Sequence, residues 1–373
     1  MHTIVEGVGN LPDIISRYGA RKLFLVAGSS YRRLAVKSVV DSLNVAGVVE
    51  FSEFTPNPRF EEVCKGAERF LASGCDMILA IGGGSAIDVA KCIKLAVLAP
   101  QGCNAVIPPY VSQHIPIAGA SIPFIAIPTT AGTGSESTHN AVMYYNGFKQ
   151  TVVNDDLLPD YAILDHSTLT SLPLYQKKCT MLDALCQGIE SWWSVNSTDE
   201  SKEYSRKCVS LIVENWRRYL SDCDDEVARQ IMLAANYSGR AINITQTTAP
   251  HAMSYKITSL YNVPHGHAVA LSLPWVWQYM LDCSHLCIDN RGKDHLEQVF
   301  AGIASALGTE TPADGIRCIR EMLSEMDIQY PVSVNREADV SILTDSVNVD
   351  RLKNNPVLLD KESIRALYGQ IVK

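Results

Sequence analysis

The sequence of 373 residues contains no apolar run of 18 or more, so no membrane-spanning helix is expected. It has no excess of basic residues: 40 acidic side chains against 32 basic ones give a formal charge of −8 and a pI near 5.6. No basic stripe or polybasic tail occurs, which argues against a nucleic-acid partner. The amino terminus, MHTIVEGVGNLPDIISRYG, lacks the charged lead and long apolar stretch of a signal peptide. The 11 cysteines show no framework spacing, and scattered thiols in odd number suit a reducing, cytoplasmic setting. Cys283 and Cys287 flank His285 in "CSHLC", but no second cluster lies near them in the sequence, and they read as one helical face. A G-x-G-x-x-G fingerprint, an internal repeat and a low-complexity stretch are all absent.

What is present is an ordinary globular composition, 47% hydrophobic and 19% charged, long enough for two domains with their own cores. The first part alternates strand and helix patterns. Strands are expected at 21–30, 47–54, 75–84 and 122–130, and helices at 32–44, 60–73 and 85–98. That alternation implies a parallel sheet covered on both faces. Beyond about residue 168 helical periodicity takes over, which places a boundary near "SLPLY" and divides the chain into 1–170 and 171–373.

Two loops carry the chemistry of the first part. "AIGGGSAIDVAK" (80–91) is a strand, three glycines and a helix. Glycines there let backbone N–H groups approach a phosphate, and a helix amino terminus favours an anion. "IPTTAGTGSESTHNAV" (127–142) offers small hydroxyl donors without bulk. A Gly/Ser/Thr cluster is also what a plain loop uses, but two of them at strand ends in one sheet favour a cradle for ribose and diphosphate. In the second part, Asp183 and Gln187 stand four apart in "MLDALCQGIESWWS", on one helical face. His251 and His265 are fourteen apart, too far along one continuous helix to share an ion, but a break at "NVPHG" would fold the chain back.

"GGGSAIDVAK", "PTTAGTGSE", the Asp183 helix and "H…PHG" occur in the order and spacing of the iron-containing (group III) alcohol dehydrogenases. The chain resembles that family over nearly its whole length, down to "NNPVLLDKESIRAL". The resemblance implies a Rossmann-like α/β dinucleotide-binding domain followed by an all-α metal-binding domain, with metal and nicotinamide meeting in the cleft between them. The implied cofactors are NAD(H) or NADP(H) and one divalent ion, Fe2+ foremost and Zn2+ as the alternative. A homodimer or larger homo-oligomer is implied as well. The family's metal ligands fall on Asp183, His251 and His265. Its further ligand histidine is Gln187 here, readable as an oxygen ligand or as a polar group holding substrate. Tyr255 stands where the family has another active-site histidine and is a candidate proton relay, and His267 could join it. The implied cofactor contacts are Gly82, Gly83, Gly84 and Ser85 with Asp88, then Thr129, Thr130, Thr133, Ser135 and Lys149. Ser52 replaces the aspartate of NAD-preferring members, with Glu53 beside it, so the 2′-phosphate preference stays open.

The lining before the first ligand histidine, "GRAINITQTTAPH", is more polar than a pocket for a plain aliphatic alcohol needs. Arg240, Gln246 and Lys256 are the candidate substrate contacts, and buried donors suit an anionic head group. The chain looks most like the phosphonoacetaldehyde reductase branch, which implies reduction of phosphonoacetaldehyde to 2-hydroxyethylphosphonate. Another small aldehyde, polar or neutral, is the nearest alternative. From other classes, 3-dehydroquinate synthase and glycerol-phosphate dehydrogenase relatives share the architecture but fit "PTTAGTGSE" less well. A non-catalytic nucleotide-binding relative would have little reason to keep both loops and three ligands.

Overall fold

A computed structural model describes residues 2–108, 121–347 and 352–373. In chain order the elements of its first stretch are β1 (Thr3–Glu6), α1 (Leu11–Tyr18), β2 (Lys22–Ala27), α2 (Val36–Asp41), β3 (Gly47–Phe51), α3 (Phe60–Ser73), β4 (Met77–Gly82), α4 (Gly84–Leu98), β5 (Phe124–Pro128), β6 (Asn140–Tyr145), β7 (Phe148–Val153) and β8 (Tyr161–Leu164). Helices α5 (Leu174–Trp193), α6 (Asp199–Ser221), α7 (Asp225–Thr245), α8 (Ala249–Tyr261), α9 (His265–Asp282), α10 (Lys293–Ala306), α11 (Pro312–Glu325), α12 (Arg336–Ser346) and α13 (Lys361–Ile371) follow.

Two compact units result: Met1–Leu172 with Cys223–Gly239, and Pro173–Asp222 with Arg240–Lys373. In the first, six parallel strands lie in the order β1-β8-β5-β4-β2-β3. The period of two along each strand sorts its side chains between two cores. Phe24, Val26, Ile78, Ala80 and Phe124 pack with α3 and α4, whereas Leu23, Leu25, Leu79, Ile81 and Ile125 pack with α1 and α2. Strands buried on both faces read as continuous apolar runs, which is why "KLFLVA" and "MILAIG" show no polar alternation.

Three expectations are corrected. The strand expected at 47–54 ends at Phe51, and the helix expected at 32–44 narrows to α2 behind a short 3-10 turn. The first unit also holds an antiparallel hairpin, β6–β7, outside the parallel sheet. Its turn residues Asn146 and Gly147 both have positive φ, 50° and 78°, as the two-residue hairpin turn demands. The second unit is not one uninterrupted stretch from residue 171, because Cys223–Gly239, most of it in α7, packs with the first. Gly134 and Gly239 cause this. A Cβ on Gly134 would meet the Gly239 Cα at 2.3 Å, so only a pair of glycines permits the approach, and Asn236 bonds to Glu136 beside it at 2.9 Å.

In the second unit every described element of regular structure is helical. From Met181 onward α5 is buried on all sides, which is how polar residues within it become interior groups. "CSHLC" is not a helical face: α9 ends at Asp282, and Ser284–Leu286 form a 3-10 turn.

Candidate active site

The candidate metal centre is assembled from three helices of the second unit. Asp183 lies in the buried middle of α5. His251 is in the first turn of α8, which begins with Pro250 near its start. Helix α8 ends at Asn262, left-handed at φ 51°, and after Pro264 the chain re-enters helix at His265, the first residue of α9. The reversal brings ligand atoms of Asp183, His251 and His265 within 4.8 Å of one another. Nε2 of His251 is 3.3 Å, and Nε2 of His265 3.9 Å, from Asp183 Oδ1. Ligands about 2.1 Å from a tetrahedral ion stand roughly 3.4 Å apart, so the three atoms are spaced to share one.

Chemistry agrees with spacing. Nδ1 of His251 lies 2.5 Å from Glu190 Oε1. A carboxylate only accepts, so Nδ1 carries a proton, and Nε2 is the nitrogen left to ligate. That buried Nε2 makes no regular hydrogen bond among the described residues. It faces Asp183 Oδ1 at 3.3 Å, and a proton or a metal cation between the two would satisfy both. Burial works against a charged imidazole, yet Glu190 and Asp183 outweigh it and push the His251 pKa up to about 10. A field that favours a proton there favours a divalent ion equally. His265 is oriented through Nδ1, 3.4 Å from Ser254 Oγ, while Ser254 donates to the His251 carbonyl at 2.8 Å. His265 keeps 35% of its side chain exposed, so the ligand set opens to solvent on that side.

Gly266 makes the arrangement possible. A Cβ there would sit 1.9 Å from the Cys179 carbonyl oxygen and 2.9 Å from the Asp183 Cβ, so α9 reaches Asp183 only because residue 266 has no side chain. Sequence reasoning passed over Glu190, Ser254 and Gly266. Their signals were spacing and adjacency: Glu190 is seven past Asp183 on one stripe of α5, Ser254 three past His251, and Gly266 directly follows a ligand.

The remaining candidates of this unit fall into different places. Gln187 is buried one turn beyond Asp183. Tyr255 lies one turn beyond His251, and its ring stacks on that of His265, centroids 5.7 Å apart and planes within 7°. His267, expected as a possible partner of Tyr255 in proton relay, is held by other groups. Its Nδ1 is 2.8 Å from the Tyr175 hydroxyl and its Nε2 2.8 Å from the Gln329 carbonyl, so both ring nitrogens are engaged, and burial lowers its pKa. Lys256, five residues past His251, leaves α8 about 140° round the helix from it and does not share the ligand face. Gln246 is exposed and left-handed at φ 60°, ending α7 with its N–H on the Ile242 carbonyl at 2.8 Å, which is a capping position. Arg240 is half-buried, its guanidinium 4.0 Å above the Tyr204 ring and donating to the Tyr204 hydroxyl.

The nucleotide cradle belongs to the first unit, where the strand order reverses about β2 and β4. The glycines are there for close approach: a Cβ on Gly82 would meet Ala86 at 2.5 Å, on Gly83 Thr130 at 3.3 Å, and on Gly84 Thr133 at 2.9 Å. Gly84 and Ser85 open α4, whose first N–H groups have no partner within the helix. Gly28, at the end of β2, lies beside Gly82 and was not singled out in the sequence. Thr130 and Thr133 are half-buried on this rim, whereas Thr129 is buried. Ser135 and Asp88, expected as cofactor contacts, are joined in a hydrogen-bond network with Lys91. The Ser135 hydroxyl donates to Asp88 at 2.6 Å, the Val142 N–H donates to Asp88 at 3.1 Å, and the fully buried Lys91 donates to Ser135, Thr138 and Asn140 at 2.6–3.1 Å. This network ties the 129–138 loop to α4. Burial raises the Asp88 pKa, against the opposing pull of Lys91 and, more weakly, of Lys149 on β7. Ser52 is exposed just past β3, and Glu53 beside it is paired with Arg69 at 2.8 Å.

Residues 3–166 match the iron-containing alcohol dehydrogenase domain, and residues 178–372 match the carboxy-terminal domain of the Fe-containing alcohol dehydrogenase family. Phosphonoacetaldehyde reductase of Streptomyces viridochromogenes is 33% identical, over 82% of this chain and 78% of its own length. Sulfoacetaldehyde reductase of Bilophila wadsworthia is 27% identical, over 98% of this chain and 96% of its own. The crystal structure of sulfoacetaldehyde reductase from Bifidobacterium kashiwanohense in complex with NAD+ shares the fold, with a TM-score of 0.88 at 24% identity over 99% of this chain and 96% of that one. The chain belongs to the iron-containing alcohol dehydrogenase family of oxidoreductases.

Proposed function

We propose that the protein reduces a small aldehyde carrying an anionic head group, with phosphonoacetaldehyde as the substrate and 2-hydroxyethylphosphonate as the product. The observation that carries the reductase reading is the Asp183–His251–His265 cluster, with Asp183 and His251 buried, His265 partly exposed and Tyr255 stacked on it. The anionic head group is supported by the phosphonoacetaldehyde and sulfoacetaldehyde reductases among the relatives.

Asp183, His251 and His265 would hold Fe2+, or Zn2+ as the alternative, with Gln187 as a further oxygen donor. The glycine turn at Gly82–Ser85 and the amino terminus of α4 would hold the diphosphate of NAD(H) or NADP(H), with Thr130 and Thr133 along the rim. When bound, the ion would supply Lewis acidity toward the carbonyl oxygen, and the nicotinamide would supply hydride to the carbonyl carbon. The chain's own part is positional. Glu190 and Ser254 orient the two imidazoles, the wall of α5 excludes water behind Asp183, and the Tyr255 phenol holds the proton that the product oxygen receives. Arg240, held flat on Tyr204, is the cation we assign to the anionic head.

The test compares phosphonoacetaldehyde with propanal in NADH and NADPH oxidation by protein loaded with Fe2+ or Zn2+. A strong preference for the phosphonate is expected. In Arg240→Ala the KM for phosphonoacetaldehyde should rise far more than that for propanal. Equal turnover of the two aldehydes by the unaltered protein would discard the anionic substrate while leaving the reductase in place.

A further inference from the structure

Glu190 is the most deeply buried ionisable group near the ligands, with 0% of its surface exposed, and its two oxygens do different work. Oε2 accepts from the Thr248 N–H at 2.7 Å and the Thr248 hydroxyl at 3.0 Å, and lies 3.5 Å from the His251 N–H. These are groups of the first turn of α8, so this oxygen caps the helix. The Thr248 hydroxyl is in turn held by Trp193 Nε1 at 2.8 Å, which leaves Glu190 little freedom to rotate. Oε1 faces away from the cap and takes the Nδ1 proton of His251 at 2.5 Å. A helix cap needs one acceptor. The second oxygen has no capping duty, and its bond to a ligand imidazole fixes which nitrogen is left to bind.

We propose that Glu190 is a positioning residue for the metal centre: its Oε1 locks His251 in the tautomer that presents Nε2 to the ion, and its charge strengthens that nitrogen as a donor. This rests on the reading of Asp183, His251 and His265 as metal ligands. The neutral Gln187 at the neighbouring position of the same helix stripe makes the contribution larger, because a site with two imidazoles depends more on the quality of each. Glu190→Gln separates the two duties. An amide has one acceptor oxygen. If that oxygen keeps the cap, the NH2 group faces His251 and drives the proton to Nε2, the nitrogen that must ligate. If it turns to His251, the cap loses its acceptor.

The experiment uses the full-length chain stripped of metal and titrated with Zn2+ and Co2+ against a chromogenic chelator, with the visible spectrum of the Co2+ form recorded alongside. Glu190→Gln should stay folded by circular dichroism, bind both ions about 10- to 100-fold more weakly, and show altered Co2+ bands. Glu190→Asp, which restores the charge on a shorter arm, should fall between it and the unaltered protein. Thr248→Val removes the hydroxyl's bonds to Glu190 and Trp193 but keeps the N–H on Oε2 and leaves Oε1 on His251, so it should lower the melting temperature and weaken metal binding far less than Glu190→Gln. Metal affinity unchanged in Glu190→Gln would overturn the proposal and leave Glu190 a helix cap. An equal loss in Thr248→Val would overturn it too, because the effect would then come from the cap. If Glu190→Gln does not fold, Glu190→Asp decides, and an unaltered affinity there counts against the proposal. Asp183→Asn and His265→Ala test the ligand assignment separately. If they bind as the unaltered protein does, the assignment itself fails; if they lose metal while Glu190→Gln does not, only the role of Glu190 fails.

Discussion

Substituting Gly266 by alanine adds one methyl group at the point where α9 meets α5. The new Cβ would lie 1.9 Å from the Cys179 carbonyl oxygen, where 3.0 Å is the closest approach that real Cβ atoms show. The difference, about 1.1 Å, must come from moving backbone, because the obstructing atom is not the end of a flexible side chain. The Asp183 Cβ at 2.9 Å blocks part of the escape. His265 is the adjacent residue, so the shift passes directly to a ligand. Metal sites tolerate displacements of about 0.2 Å, several times less than the shift required. Overpacking of this kind costs about 3 kcal/mol, equivalent to a fall in melting temperature of roughly 6–12 °C for a unit of some 200 residues. The assay is a melting curve together with metal content after dialysis. The expected result is a folded but less stable protein that retains a small fraction of the metal. A variant that melts with the unaltered protein and keeps a full complement of metal would refute the argument that residue 266 sets the α5–α9 distance.

Tyr255→Phe should keep its metal, because the ring that stacks on His265 remains, while kcat falls about 100-fold or more for loss of a proton donor; an unaltered kcat would assign the proton to water or to the cofactor ribose. His267→Ala leaves the Tyr175 hydroxyl and the Gln329 carbonyl without their partner and should cost about 1–3 kcal/mol in urea unfolding. Its kcat/KM per bound metal should stay within a few-fold, and a collapse in the folded variant would restore a catalytic role. Burial pushes the Asp289 carboxyl up, but its bonds to Arg291 prevail and hold it below the ordinary 3.8. A depressed folded pKa means stability that is present above the ordinary value and lost as pH falls through the folded one. Asp289→Asn should therefore lower the urea midpoint at pH 7 and converge on the unaltered protein as the pH falls through the folded carboxyl's depressed pKa, whereas a constant gap would show that the charge is not the cause.

The parts of this protein legible in its sequence are those in which one local rule decides the outcome. The apolar runs of β2, β4 and β5 could only be strands of a sheet covered on both faces, and the glycine turn after β4 announced a strand-to-helix junction. The β6–β7 hairpin was equally local, since Asn146-Gly147 is a strong turn signal, but it lay next to the Gly/Ser/Thr cluster and was absorbed into it. What stayed hidden were the jobs that depend on a distant partner. Ser135 and Asp88 look like cofactor contacts until Lys91 is seen to bind the loop from below. His267 looks like a catalytic base until Tyr175 and Gln329 occupy both its nitrogens. Gly239 gives no hint in sequence that it meets Gly134, and that contact decides with which unit the first part of α7 packs. Glu190 was visible as a stripe position on α5, yet its partner stands 61 residues away.

The presence of glutamine at position 187 follows from how charge is divided in the site. Asp183 and Glu190 are the carboxylates against the ligand set, one facing the position of the ion and the other acting through His251. Together they supply two negative charges in a nearly dry interior, enough to balance one divalent cation, and burial makes an imbalance there expensive. A neutral imidazole at 187 adds nothing to that balance, and neither does a neutral amide. Exchanging one for the other therefore leaves the electrostatic attraction for a dication in place, whether the Gln187 amide ligates the ion or holds the substrate. The carboxylates could not be exchanged so freely. Removing either leaves a buried site one charge short, with the His251 nitrogen still buried and still needing a cation. The residues that must persist in such a site are thus the two acids and the geometry that faces His251 toward them, and a ligand position that contributes no charge is the one where a substitution is tolerated.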